Sequence, residues 1–110
     1  MQYRTNQKNG DQLSILGYGC LRYTKKGTAI DQEKAEKEMA LAVERGVNYF
    51  DTAYTYGGSE VCLGKFLAKY GYRDRVKIAT KLPILRRSRI WNATLRKNWS
   101  ACRPITLIII

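Results

Sequence analysis

Asp51, Tyr56 and Lys81 are a carboxylic acid, a phenol and an amine that stand where short apolar runs give out. The stretch Phe50-Asp51-Thr52-Ala53-Tyr54-Thr55-Tyr56-Gly57-Gly58 puts a carboxylate and two phenols directly after an apolar run, then two glycines. Val76 to Thr80 is a second apolar run and ends at Lys81. An acid and a lysine on adjacent strand ends can pair, and the ammonium then lies near the phenol, where it stabilises phenolate and lowers a pKa that starts near 10. A tyrosine so placed is a workable proton donor at neutral pH. The same residues admit a plainer reading: Asp51 as a loop cap, Lys81 as a solvated strand end, Tyr54 and Tyr56 as rim aromatics with their hydroxyls in water. Spacing by itself leaves both readings open.

Elements that gather strand ends are needed for the chemical reading, and the pattern supplies them. Gln2 to Thr5 and Leu13 to Leu16 flank an Asn9-Gly10 pair suited to a tight hairpin turn, in which both central residues take positive φ. ILGYGCLR then leaves the hairpin, with Gly17 and Gly19 allowing close approach of backbone or ligand. A helix over about Gln32 to Arg45 is expected from Asp31 as N-cap, Ala35, Met39, Ala42 and Val43 at helical spacing, and Gly46 as the left-handed stop. Val47 to Phe50 has strand length, Ser59 opens a second helix carrying Leu63, Phe66, Leu67 and Tyr70, and Val76 to Thr80 is the next strand. Alternating strands and helices with short connections predict an α/β fold with a parallel sheet and right-handed crossovers. In such folds the carboxyl ends of the strands carry the chemistry, and Asp51, Tyr56 and Lys81 all fall there.

A chain of 110 residues bounds the answer to one domain with a modest core. The opening MQYRTNQKNG is too polar for a signal peptide and no run approaches a membrane span, so a cytoplasmic location is expected. Cys20, Cys62 and Cys102 show no metal spacing and the chain has no histidine, so no metal site is expected and the thiols read as free and mostly packed. The net charge of +11 would ordinarily suggest a nucleic-acid or acidic-membrane partner. Its distribution weakens that inference: residues 1–84 hold 14 Lys+Arg and all 9 Asp+Glu, whereas residues 85–110 hold 6 Lys+Arg, no acid, and both tryptophans, Trp91 and Trp99. The chain changes character near Leu85.

The segments LGYGCLR, GVNYFDTAYTYGGSE, LGKFL and VKIATKLP together resemble the aldo-keto reductase family over about residues 2–84. This resemblance implies the N-terminal part of a (β/α)₈ TIM barrel, closed below by an N-terminal β-hairpin and truncated here after about three βα units. It implies an oxidoreductase that transfers hydride from NADPH or NADH to a small-molecule aldehyde or ketone. Carried over by position, Tyr56 would be the general acid that protonates the carbonyl oxygen, Lys81 would lower its pKa, and Asp51 would hold and neutralise Lys81. Gly19, with Asp51 beside it, falls where family members bring backbone close to the nicotinamide. Tyr54 becomes a wall residue.

Two departures accompany the resemblance. The family's fourth catalytic residue is a histidine, which this chain lacks, and most cofactor phosphate and ribose contacts come from later strands. Little or no reductase activity is therefore expected of the 110-residue chain. A shifted reading frame accounts for the tail: taking the last base of one codon with the first two of the next, Trp91-Asn92 forces glutamate and Asn98-Trp99 forces leucine. The remaining junctions permit a path that resembles the family's next helix and fourth strand. Residues 1–84 are thus read as reductase domain and residues 85–110 as a basic tail, out of frame. Two other readings remain: the tail RRSRIWNATLRKNW binding single-stranded nucleic acid through phosphate contacts and stacking, or a fragment docking on an intact barrel through its open strand edge.

Overall fold

The computed structural model describes residues 1–81 and, beyond them, the backbone of a strand at Leu107–Ile109. The readings of Cys102, Trp91, Trp99 and the basic run around them lie outside the described residues. In chain order the elements are β1 (Tyr3–Thr5), β2 (Gln12–Ser14), β3 (Tyr18–Gly19), β4 (Lys25–Lys26), β5 (Ala29–Ile30), α1 (Gln32–Glu44), β6 (Tyr49–Asp51), α2 (Ser59–Tyr70), a single 3₁₀ turn (Arg73–Arg75), β7 (Lys77–Thr80) and β8 (Leu107–Ile109). Strands β3, β6, β7 and β8 form one parallel sheet in that order, with α1 and α2 as crossovers between its first three strands. The architecture is α/β, and among the described residues the parallel sheet does not close. Among the described residues, no helix is long and apolar enough to cross a membrane.

Local chemistry explains the helix limits. The Asp31 carboxylate accepts from the Lys34 backbone amide at 3.1 Å and caps α1. Gly46 and Gly71 take φ of 93° and 67° after the two helices, a left-handed conformation that a Cβ would penalise. The sheet's helix-side face comes from the period of two: Phe50 and Ile78, paired in register, point into the core with Met39, Val43, Leu63, Phe66 and Leu67. Each buried side chain of this size contributes roughly 1.5–3 kcal/mol before the cost of ordering the chain. Tyr49 and Asp51 therefore share the opposite face.

The N-terminal hairpin forms, but its turn differs from the expected one. Residues 6–11 make a wider loop in which only Gly10 has positive φ. Asn6 organises it: its carbonyl accepts from the Gly10 amide at 2.8 Å and its Oδ1 accepts from the Lys8 amide at 3.0 Å. A side chain that can bond its own backbone two residues on competes with the two-residue turn and wins here. The hairpin covers the amino ends of the sheet. Asn48, just before β6, accepts from the Ser14 amide and donates to the Gln12 carbonyl, both at 2.8 Å, while Lys77 at the start of β7 pairs with Asp11 at 3.0 Å.

Strand β8 corrects one expectation. The edge of β7, anticipated as open, carries the backbone of Leu107–Ile109 in parallel register, Ile78 opposite Leu107 and Thr80 opposite Ile109. Two of its three residues are β-branched isoleucines, a type that suits a strand, and no helical or motif pattern marked the run. Strands β4 and β5, a small hairpin within the loop after β3, were also not foreseen, since two-residue strands leave no readable alternation.

A buried acid joins the helices. Glu36 on α1 is 5% exposed and accepts from Lys69 Nζ of α2 at 2.6 Å and from Gln32 Nε2 at 2.9 Å. The bond from Lys69, then that from Gln32, holds the Glu36 carboxyl below the usual range. Lys69 itself is mostly in water, so deleting Glu36 strands no buried ammonium. Glu36→Ala should cost about 1–3 kcal/mol, read as a lower Tm. Because the folded value is depressed, the contribution is present above the unfolded pKa near 4.3 and fades as pH falls through the folded value. Acidification should therefore lower the Tm of the parent more than that of Glu36→Gln, and equal slopes would refute the assignment.

Candidate active site

Register places the site residues in one row. Gly19 at the end of β3 lies opposite Asp51 at the end of β6, and Asp51 lies opposite Ala79 of β7. The ladder runs on past Asp51, with the Thr52 amide donating to the Ala79 carbonyl at 2.8 Å and the Tyr54 amide to the Lys81 carbonyl at 3.0 Å. Lys81, one residue beyond β7, thus comes level with Asp51 from the neighbouring strand. Its Nζ donates to Asp51 Oδ1 at 2.5 Å and lies 3.5 Å from the Thr52 carbonyl. The same ammonium stands 5.7 Å from the centre of the Tyr56 ring. The acid, amine and phenol singled out in the sequence are brought together, and the reading of Lys81 as a merely solvated strand end is not what the geometry has.

Electrostatics follow from this contact. The hydrogen bond to Asp51 raises the Lys81 pKa above the ordinary ammonium range, opposed by desolvation and reinforced by the charge of Asp51 and the neighbouring Tyr56 and Tyr49 hydroxyls. Lys81 and Asp51 remain about a third open to solvent, at 40% and 34%, so solvent reaches the pair. Gly19 is exposed, and a Cβ built on it would meet nothing within 4 Å. Gly17 is the reverse case: a Cβ there would lie 2.9 Å from Tyr49 Cδ1, so the strand approaches that ring because the residue is glycine. Tyr54 is 45% exposed, and its backbone amide joins the ladder to Lys81.

The paired glycines have separate parts. Gly58 adopts φ of 76° immediately before α2 and turns the chain from the Tyr56 loop into the helix, whereas Gly57 keeps an ordinary φ. Ser59 and Thr52, both 2% exposed, form a buried hydroxyl pair at 2.8 Å, and Ser59 Oγ donates to the Cys20 carbonyl at 2.6 Å. Thr80 Oγ1 donates to Glu60 Oε1 at 2.6 Å. These contacts were not legible in the sequence; the one available hint was a threonine next to Asp51 and another next to Lys81. Cys20 and Cys62 are free and buried, and burial pushes their thiols up to about 12 and about 11, so they stay protonated at neutral pH.

Residues 15–102 match the aldo/keto reductase family. The chain belongs to the aldo/keto reductase family. The match begins after the hairpin and continues past residue 84, where the sequence pattern had placed the boundary, to residue 102. Among solved structures the chain is similar to two described as aldo-keto reductases from Pseudomonas aeruginosa. One has 25% identity and a TM-score of 0.75, covering 97% of this chain and 46% of its own; the other has 26% identity and a TM-score of 0.78, covering 97% and 45%. An aldo-keto reductase from Bacillus halodurans in its holo form shares the fold, with 23% identity and a TM-score of 0.75, covering 99% of this chain and 40% of its own. This aldo/keto reductase chain spans less than half the length of those structures. The chain is thus a member of an oxidoreductase family, and its fold is the opening portion of a TIM barrel.

Asp51→Asn isolates the central contact of the site. Removing the carboxylate should move the Lys81 titration down, followed by NMR at the Lys81 Cε, and an unchanged midpoint would refute the pairing. In the parent the folded value is raised, so the stabilisation from this pair is intact below the unfolded pKa near 10.4 and is lost as pH climbs through the folded value.

Proposed function

We propose that Asp51, Tyr56 and Lys81 form the proton-donating part of an NAD(P)H-dependent carbonyl reductase, with an aldehyde or ketone as substrate. The observation that carries this reading is a single ammonium, Lys81 Nζ, 2.5 Å from Asp51 and 5.7 Å from the Tyr56 ring centre at the carboxyl end of the parallel strands. Tyr56 gives its hydroxyl proton to the carbonyl oxygen as negative charge builds there. A cation held against a phenol stabilises the phenolate that this transfer leaves behind. Asp51 fixes the position of the ammonium and balances its charge.

The residues present fit a nicotinamide at one point. The exposed end of β3, where a Cβ on Gly19 would find open space, gives a flat ring room beside the Asp51 carboxylate. Gly19 and Asp51 are the residues we assign to its edge, and NADPH or NADH, when bound, supplies the hydride. Remaining contacts to the cofactor are assigned to parts of a barrel longer than this chain.

The 110-residue chain by itself is proposed to have little or no activity, and residues 85–110 to derive from a shifted reading frame, in a protein that works in the cytoplasm. Purified chain with NADPH and a simple aldehyde should show no turnover above the blank. Sequencing the encoding DNA past codon 81 should find a second frame that continues the barrel, and the product of that frame should reduce the aldehyde. In that product Tyr56→Phe should lower kcat by about 100-fold or more. Full activity of Tyr56→Phe would sink the site assignment, turnover by the 110-residue chain would sink its inactivity, and no continuing frame would sink the shifted-frame account.

A further inference from the structure

The first turn of α2 reaches the ends of the three strands that carry the site. Ser59 Oγ donates at 2.6 Å to the carbonyl of Cys20, the residue after β3. A serine hydroxyl has one proton, so the 2.8 Å contact with Thr52, the residue after β6, is donated by Thr52 Oγ1. One position on, Glu60 Oε1 accepts from Thr80 Oγ1, the last residue of β7, at 2.6 Å. Ser59, Thr52 and Thr80 are all buried. Each of these residues sits close in sequence to a site residue: Thr52 follows Asp51, Thr80 precedes Lys81, and Ser59 ends the loop that bears Tyr56.

We infer that the Ser59–Glu60 turn is a positioning element, in which Thr52, Ser59, Glu60 and Thr80 set the separation of Asp51, Lys81 and Tyr56 by tying three strand ends to one helix start. The physical reason is that buried hydroxyl contacts in a low-dielectric setting are short, directional and mutually polarising, and a strand end that drifted would leave a polar atom with no partner. The backbone ladder holds the strands level, and these hydroxyl contacts add a side-chain link from each strand end to the start of α2. The term positioning for proton transfer rests on the function proposed above; the tether itself is tested without turnover.

Thr52→Val and Thr80→Val keep side-chain volume and remove the hydroxyl, whereas Thr52→Ser and Thr80→Ser keep the hydroxyl. NMR of the full 110-residue chain reads two quantities: the titration of Lys81 at its Cε, and the NOE between the Lys81 ε-protons and the Tyr56 ring. Both valine variants should shift the Lys81 titration downward, because the ammonium loses its fixed carboxylate, and should lose the NOE. Both serine variants should retain the parent titration and the NOE. Valine variants that lower Tm while leaving titration and NOE at parent values overturn the inference. So does a valine variant that fails to fold, since its hydroxyl would then sustain the fold as a whole and not the site. A failed reductase assay leaves these readouts untouched, so the two proposals fall separately.

Discussion

Parallel register is the constraint on which the site depends. Gly19, Asp51 and Ala79 stand in one row because β3, β6 and β7 pair with their carboxyl ends level. A slip of one residue in β6 would turn Asp51 to the helix side and Phe50 away from it. The core prevents that slip: Phe50 is fully buried between the sheet and the helices, and Ile78 beside it faces the same way. Burial of one apolar side chain thus decides where the carboxylate of the next residue must point.

The two ends of the sheet are finished by different chemistry. At the amino end the hairpin docks through Asn48 and the Lys77–Asp11 pair, side chains that satisfy backbone groups and a half-buried charge. At the carboxyl end, hydroxyls from Thr52, Ser59 and Thr80 do the joining, and the charged groups Asp51 and Lys81 stay reachable by solvent. Small buried hydroxyls hold strand ends without filling the space above them. That division leaves the upper rim open at Gly19 while the lower rim is covered.

Much of this was legible beforehand, for reasons that attach to particular residues. Asp31 and Gly46 bracketed α1, and Gly71 closed α2, because caps and left-handed stops are local interactions written into adjacent residues, whereas Ser59 opens α2 without capping it and turns its hydroxyl to the Cys20 carbonyl. A carboxylate ending one strand and a lysine ending the next made their contact one of two open readings, since parallel strands with short connections bring such ends level, and the structure has the contact. The hairpin turn was misjudged where Asn6 offered its own side chain to the backbone, a competition that the Asn9-Gly10 pair conceals. Strands β4 and β5 were too short to carry a period, and β8 lay in a run whose residues gave composition but no pairing partner.

By itself, the amino-acid sequence determined the two helices, the hairpin, the strands β6 and β7 that follow them in order, and the identity of the ionisable groups at the strand ends, because propensity, capping and apolar period act over a few neighbouring residues. Tertiary structure alone decided that Lys81 Nζ meets Asp51 Oδ1 beside the Tyr56 ring, that Glu36 is buried against Lys69, and that Ser59 bridges Thr52 and the Cys20 carbonyl. Those contacts join residues from 7 to 39 positions apart. Their existence depends on how two helices and three strands pack, and packing is set by the whole core at once rather than by any stretch of chain that can be read in isolation.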